Sequence, residues 1–301
     1  MSHPPRDLTI KQLRYFISAA DSGSMSAAAK SLGIAQSAVS TAIAELERTF
    51  GVQLLVRHRR GLSSTAEGRV LLDRARDLLV QVDDLLNEAV DLGTSPSGTV
   101  RLGCFRTLSP FFVPFFVERV VARYPNLRVE IVEGNLDDLQ AQLLEGTLGA
   151  AVLYDIQLDS RLVADVLSVA PPHVVLPTSH PLAAQESVSL RSLMDEPFIL
   201  LDLPYSREYF ERLFVTAGSR PRIVHRSANY ETVRALVAAG HGFSLLNQRP
   251  RVDRTYDGKR LVVRPLSDRL PPLRVVFAQI AGARTTRRLA AVREICEEWS
   301  G

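Results

Sequence analysis

The 301-residue sequence predicts a multidomain α+β protein, in which a helical N-terminal part is joined by a long helix to a C-terminal α/β part. Three observations support this prediction. Apolar residues recur at helical spacing through most of the first hundred residues. One unbroken amphipathic pattern then covers about residues 66–92. Beyond a breaker-rich segment, short apolar runs alternate with helical patterns, which is typical of βαβ units with parallel strands.

The first sixty-five residues predict three helices and a β-wing. A helix over about 10–21, a short helix over 27–32 and a third over 36–50 are separated by tight turns, with Gly33 suited to the left-handed conformation that ends a helix. Residues 52–65 contain a short apolar strand and a basic turn around Gly61, which indicates a two-stranded wing. We therefore expect a winged helix-turn-helix over residues 1–65.

The helix over residues 66–93 carries an apolar stripe with alternating spacings of four and three. This pattern favours pairing with a second helix, although packing on its own domain is the alternative. Residues 1–70 contain nine Lys and Arg against five Asp and Glu, so the basic excess lies before the long helix. The stripe consists of Leu71, Ala75, Leu78, Val82, Leu85, Ala89 and Leu92.

Residues 94–98 form a small, polar hinge, and residues 99–301 are long enough for two α/β lobes. The sequence predicts strands over 100–104, 127–132, 150–153, 173–176, 198–201, 223–225, 243–246 and 273–278. It predicts helices over 110–124, 137–145, 205–217, 230–239 and 285–299.

The order of these elements, and the residues themselves, resemble the LysR-type transcriptional regulators over the whole chain. The resemblance rests on QSAVS at 36–40, an Arg-rich wing, TAEG at 65–68, YPNLRVEI, SHPLA and LVAAGHGFSLL. It implies a sequence-specific transcription regulator with a periplasmic-binding-protein-like effector domain. The chain would cross twice between lobe I, about 99–169 and 270–301, and lobe II, about 170–269. A small-molecule effector would bind in the cleft between the lobes. The expected partners are operator DNA, further copies of the chain in a dimer or homotetramer, and RNA polymerase.

The helix-turn-helix predicts which side chains read DNA, because the start of its second helix enters the major groove. The candidates there are Gln36, Ser37, Ser40 and Thr41, of which Ser37 and Thr41 depart from the proline and arginine more common in the family. On the wing, Arg57, Arg59 and Arg60 are candidates for phosphate or minor-groove contacts, the alternative being a solvated basic turn.

Candidate effector contacts follow the carboxyl ends of strands, where open α/β sheets bind ligands. Backbone N–H groups in the loop over 105–109 favour an anion, and Arg106 could pair with a carboxylate or face solvent. Helix capping is the competing explanation for the serines and the asparagine at 229, and pairing with Arg207 is the alternative for the aspartate. The candidates are Thr107, Ser109, Asn135, Asp202, Tyr205, Ser206 and Asn229.

Composition and motifs argue against other classes of protein. Charged and hydrophobic contents of 23% and 46% are ordinary, and the sequence has neither a secretory-signal layout nor an apolar run of membrane-spanning length, so we expect a cytoplasmic protein without a membrane partner. The histidines show no metal-ligand spacing, and no nucleophile-elbow or phosphate-loop motif occurs in context. We therefore expect no catalytic residues, no metal site and no cofactor. Cys104 and Cys296 are expected to pack in the core rather than to sense oxidants.

Overall fold

The computed structural model describes residues 8–58, 61–90, 96–283 and 285–301. The chain forms two compact units, Met1–Leu92 and Gly93–Gly301. Within the described residues, no helix is both long enough and apolar enough to cross a membrane.

The first unit begins with three helices, α1 (Ile10–Ser22), α2 (Met25–Leu32) and α3 (Gln36–Phe50). Gly23 and Gly33 adopt the left-handed conformation and end α1 and α2, as their lack of a Cβ permits. Ile10, the apolar first residue of α1, is 44% exposed. The buried face is instead Leu13, Tyr15, Phe16 and Ala19, which packs against Val39, Ile43 and Leu46 of α3.

The wing consists of β1 (Leu55–His58) and β2 (Gly61–Ser64), which pair antiparallel. The long helix α4 (Ala66–Val90) follows, and its Gly68 N–H donates to the hydroxyl of Thr65 at 2.8 Å. Position 68 must be glycine, because a Cβ there would lie 2.0 Å from the carbonyl oxygen of Leu54. The start of α4 therefore packs closely against the backbone of Leu54, the residue before β1.

The first turns of α4 pack on their own unit. Leu72 and Ala75 are buried in the N-terminal core, whereas Leu78 is 39% exposed. The first part of the long helix thus packs on its own domain, which was the alternative to pairing with a second helix. The side chains of Leu85 and Ala89, and Leu92 itself, lie outside the described residues.

The second unit is α/β throughout. In chain order its elements are β3 (Gly98–Phe105), α5 (Ser109–Arg123), β4 (Leu127–Gly134), α6 (Leu136–Leu144), β5 (Ala150–Tyr154), β6 (Leu162–Ala170), β7 (His173–Pro177), β8 (Pro197–Leu201), α7 (Ser206–Thr216), β9 (Arg222–Ser227), α8 (Tyr230–Ala238), β10 (Ser244–Leu246), β11 (Leu261–Pro265), β12 (Leu273–Ile280) and α9 (Arg287–Glu297). Two short 3-10 helices, Pro181–Ala184 and Leu190–Leu193, precede β8.

Lobe I is built on a five-stranded sheet in the order β4-β3-β5-β12-β6. Strands β4 and β5 run parallel to β3, as predicted from the alternation of strands and helices. Strand β12 is antiparallel to both β5 and β6, so the expectation of uniformly parallel strands was wrong there. Strand β6 was not predicted, and it provides the edge at which the chain leaves lobe I.

Lobe II contains the antiparallel sheet β10-β7-β11 and the parallel pair β8-β9. Strand β11 was not predicted from the sequence. Helices α7 and α8 pack on these strands. Lobe II lies wholly between β6 and β12 of lobe I, so the chain passes between the lobes twice.

Candidate functional site

The N-terminal turn of α3 presents polar side chains to solvent. Gln36, Ser37 and Thr41 are exposed, and Ser40 is half-buried. The residue before α3, Ala35, provides no side-chain cap, so the first N–H groups of the helix are left for an external acceptor. The hydroxyl of Ser26, on α2, donates to Oε1 of Gln36 at 2.9 Å and orients its amide.

The wing approaches the same helix. Nη2 of Arg57, an exposed residue of β1, lies 3.4 Å from the hydroxyl of Ser40. His58 and Ser63 are joined across the wing by a hydrogen bond of 2.8 Å, which ties the two strands together beyond Arg57. The predicted contacts Arg59 and Arg60 lie outside the described residues. The Arg57 guanidinium therefore contacts α3 near its exposed start, and the N–H of Leu55 donates to Glu47 farther along the same helix.

A cleft lies between the two lobes of the second unit. Its cavity has a volume of about 20 Å³, far below the roughly 300–1,000 Å³ of ligand pockets, so the lobes must separate to admit a ligand. Lobe I and β12 supply Thr107, Tyr154 and Leu273, and lobe II supplies the remainder of the wall. The complete lining is Thr107, Tyr154, Leu201, Ser206, Tyr209, Phe210, Tyr230, Leu246, Asn247, Gln248 and Leu273.

Asn247 and Gln248 make four hydrogen bonds in this cleft, of which those to Tyr154 and Ala170 connect the lobes. Nε2 of Gln248 donates to the hydroxyl of Tyr154 at 3.2 Å, and the backbone oxygen of Gln248 accepts from Tyr230 at 2.5 Å. Nδ2 of Asn247 donates to the hydroxyl of Tyr209 at 2.9 Å and to the carbonyl of Ala170 at 2.8 Å. The residues that follow β10 are therefore bonded to the ends of β5 and β6 in lobe I.

The three tyrosines in the wall are held neutral. Burial is the main cause that raises the pKa of Tyr154, Tyr230 and Tyr209, in the last case to about 12. A phenol in such surroundings loses the hydration that its anion would need. Each of the three hydroxyls is therefore a hydrogen-bonding group without charge at physiological pH.

Of the seven predicted effector contacts, Thr107 and Ser206 belong to the lining of the cleft. Asp202 is bonded to Arg207 and lies 3.5 Å from Arg226, so the alternative of an ion pair describes it. Asn229 caps α8, because its Oδ1 accepts the N–H of Thr232 at 2.9 Å.

The other predicted contacts lie outside the lining. Ser109 donates to a carboxylate oxygen of Glu133, and Tyr205 donates to Asp137 at 2.6 Å. Oδ1 of Asn135 is buried and accepts no hydrogen bond from the described residues. Capping therefore does not explain Ser109, whose hydroxyl is bonded to an acidic side chain instead.

Five polar residues of the cleft were not ranked from the sequence. Asn247 and Gln248 directly follow β10, so the rule applied to the other strand ends would have found them. Tyr209 and Tyr230 lie on helices and Tyr154 ends β5, and in the sequence they look like ordinary core positions.

Two further interlobe contacts have an unusual backbone. Tyr205 and Gln157 have φ values of 65° and 47°, and they are the non-glycine residues with positive φ in the described part of the chain. Nε2 of Gln157, in lobe I, donates to Glu208 of lobe II at 3.0 Å. Both strained residues thus make a hydrogen bond to a carboxylate of the opposite lobe.

Comparison with known proteins assigns both units to one family. Residues 10–69 match the bacterial regulatory helix-turn-helix protein of the lysR family, and residues 93–301 match the LysR substrate binding domain. A probable hydrogen peroxide-inducible genes activator of Mycobacterium leprae is 32% identical, over 82% of this chain and 80% of its own. The transcriptional regulator AlsR of Bacillus subtilis is 28% identical, over 79% and 80% of the two chains.

Solved structures agree with this assignment. HinK, a LysR family transcriptional regulator from Pseudomonas aeruginosa, is 35% identical with a TM-score of 0.66, over 97% of this chain and 98% of its own. The predicted fold class is confirmed by these matches. The chain therefore belongs to the LysR family, and it is a DNA-binding transcription regulator with a C-terminal effector-binding domain.

Proposed function

We propose that this regulator reads its operator through Gln36, Ser37, Ser40 and Thr41, with Arg57 of the wing on the flanking phosphates. The observation that supports this assignment most directly is the contact between Arg57 and Ser40, which places a cation beside the exposed start of α3. Glutamine can bond adenine with both amide atoms, and hydroxyls reach base edges or phosphates. Arg59 and Arg60 are proposed as further phosphate contacts on the sequence pattern alone.

Selection of bound fragments from sheared genomic DNA, followed by footprinting, tests this proposal. We expect a pseudo-palindromic site whose half-sites lie about one helical turn apart, or a multiple of it. Binding to all fragments without sequence preference would contradict it.

We further propose that the interlobe cleft is the effector site. Its wall combines apolar side chains with a small number of buried polar groups, as ligand pockets do. A ligand that bridges the lobes stabilises the arrangement in which it is bound, and can change operator binding only through that difference in affinity. Calorimetric titration of the full chain, combined with footprinting at saturating ligand, tests the assignment.

The organisation of the chain is part of the same proposal: a DNA-binding domain over 1–65, a dimerisation helix over 66–93, a hinge over 94–98 and an effector domain over 99–301. The exposed Leu78 supports pairing of α4 with a second copy. A homotetramer, contact with RNA polymerase and a cytoplasmic location complete the proposal. Sedimentation equilibrium tests the oligomer, since a species of one or two chains only would exclude the tetramer.

A thiol switch is a second candidate, because one relative is described as a hydrogen peroxide-inducible activator. The structure gives reasons against it here. Cys104 and Cys296 are both free and buried, and burial raises the pKa of each thiol. Peroxide reacts with an accessible thiolate, and these surroundings disfavour that form. We therefore favour ligand sensing in the cleft.

A further inference from the structure

The wall of the cleft is polar but uncharged. Among the described residues that line it, none is Asp, Glu, Lys, Arg or His, and its polar members are hydroxyls and carboxamides. A charged ligand would lose hydration on entering and would meet no opposite charge in the wall. Four arginines adjoin lining residues in sequence but lie outside the lining, and three of them are paired with carboxylates; the four are Arg106, Arg207, Arg249 and Arg274.

The positions where an anion would bind are already held by carboxylates of the chain. The register of β3 and β4 places Glu133 beside Cys104, at the carboxyl end of the sheet and close to the start of α5. There a carboxylate oxygen of Glu133 accepts a hydrogen bond from the hydroxyl of Ser109, the first residue of α5. A helix N-terminus of this kind attracts anions, and Glu133 already supplies one.

A second carboxylate of lobe I makes the same kind of bond. Asp137, in the first turn of α6, accepts a hydrogen bond from the hydroxyl of Tyr205 in lobe II. The guanidinium groups on the lobe II side have carboxylate partners of their own, Arg207 with Asp202 and Arg234 with Glu231. An anionic effector would therefore face two carboxylates of lobe I, to which the hydroxyls of Ser109 and Tyr205 already donate.

The carboxamides of the wall offer acceptor oxygens to a ligand that donates hydrogen bonds. Gln248 is 7% exposed, and its Oε1 accepts no hydrogen bond from the described residues although Nε2 is bonded to Tyr154. Nδ2 of Asn247 donates both hydrogen bonds of this side chain, to Ala170 and Tyr209, which leaves its Oδ1 as an acceptor for a ligand. A carboxylate has only acceptors and cannot satisfy these oxygens, whereas an amide or an alcohol can.

We propose that the effector is a small uncharged molecule that both donates and accepts hydrogen bonds, and that Glu133 and Asp137 exclude anions from the cleft. This inference rests on the proposed role of the cleft as the effector site. Two carboxylates outside the lining, Glu133 and Asp137, would then disfavour anions. The uncharged wall would determine which of the remaining molecules bind.

Matched pairs of probes with one skeleton and different charge test the inference. Thermal shift and calorimetry on the full chain would compare benzamide with benzoate and nicotinamide with nicotinate, at pH 7.5 and constant ionic strength. For wild type we expect saturable stabilisation by amides and affinity for the carboxylates weaker by about tenfold or more. Equal or tighter binding of the carboxylates, or the absence of binding by both amides, would overturn the inference.

The second arm removes the excluding charge. Glu133→Gln combined with Asp137→Asn should gain about tenfold in affinity for benzoate and nicotinate, because the like charge on lobe I beside the cleft is gone. Glu130→Gln, on the same strand as Glu133, is the control that changes charge without touching Ser109. If the double variant gains no more than this control, the two carboxylates do not exclude anions.

Failure of the uncharged ligand class and failure of effector control give different results. A carboxylate that binds wild type and alters the operator footprint would leave effector control standing and refute the uncharged class. An amide that binds in the cleft without altering the footprint would support the class and refute effector control.

Discussion

Tyr205 of lobe II donates a hydrogen bond of 2.6 Å to Asp137 of lobe I, and it does so from a left-handed backbone with φ of 65°. Gln157 reaches Glu208 in the opposite direction with φ of 47°. A non-glycine residue in this region costs on the order of 1 kcal/mol or more. The strained positions therefore coincide with the contacts that hold the cleft closed.

Removing one of these contacts should loosen the lobes. We expect Tyr205→Phe to lower the stability of the closed arrangement by about 1 kcal/mol, the net value of a typical hydrogen bond. Hydrogen exchange should then rise at the starts of α6 and α7. Tyr256→Phe, at a tyrosine that is 90% exposed, is the matched control. Exchange equal to that of the control would show that the contact does not hold the lobes.

The two DNA-reading elements should respond differently to truncation. Arg57→Ala should weaken binding to all sequences and reduce the slope of log affinity against log salt by about 1, because one phosphate contact is lost. Gln36→Ala should instead relax discrimination at one or two base pairs, worth about 1–3 kcal/mol. Mobility-shift titrations at several salt concentrations measure both. Wild-type behaviour of both variants would contradict the interface.

Peroxide should leave the protein unaffected. Cys104 and Cys296 are buried with raised pKa values, so little thiolate is available for oxidation. We expect operator affinity to be the same before and after peroxide treatment, and the same in a Cys104→Ser, Cys296→Ser double variant. Mass spectrometry of intact protein checks for oxidised species. A sulfenic acid or a disulfide accompanied by altered operator binding would contradict this expectation and support regulation by thiol oxidation.

Because His173 is buried in lobe II, we expect the free energy of unfolding to decrease at acidic pH. Burial lowers the pKa of this histidine to about 4, whereas it titrates near 6.5 when unfolded. As pH falls from about 6.5 towards 4, the unfolded chain binds the proton first, so the folded state loses stability over this interval by roughly 2 kcal/mol. Chemical denaturation of His173→Gln should show a weaker pH dependence than wild type. The exposed His241 provides the control substitution, and an unchanged pH dependence in His173→Gln would exclude this histidine as the cause.

Local signals explain how much of the fold could be predicted. Helices α1 to α3 begin and end close to the expected residues, since Gly23, Gly33 and Gly51 mark their ends directly in the sequence. Strand β6 was missed because it is an edge strand whose exposed valines and irregular pairing with β12 break the alternation of period two. Strand β11 was missed because its short apolar run is followed by a charged residue.

The site was less predictable because it depends on tertiary contacts. Thr107 and Ser206 were expected in the cleft since both follow strands, whereas Tyr154 and Tyr209 meet there only after the lobes pack. Whether a serine faces a ligand or a carboxylate is set by a residue distant in sequence, as Glu133 is from Ser109. Sequence reasoning therefore located the loops and could not assign their partners.

The insertion of lobe II between β6 and β12 has a consequence during synthesis. Among the residues that the structure describes, strand β6 pairs in its sheet with β12 alone, and β12 leaves the ribosome about a hundred residues later. Lobe II can therefore complete its fold while lobe I still has an unpaired strand, which reverses the usual order in which the N-terminal part folds first. Until β12 arrives, the exposed valines of β6 are an open template for other chains, and nascent protein stalled in lobe II should depend on chaperones.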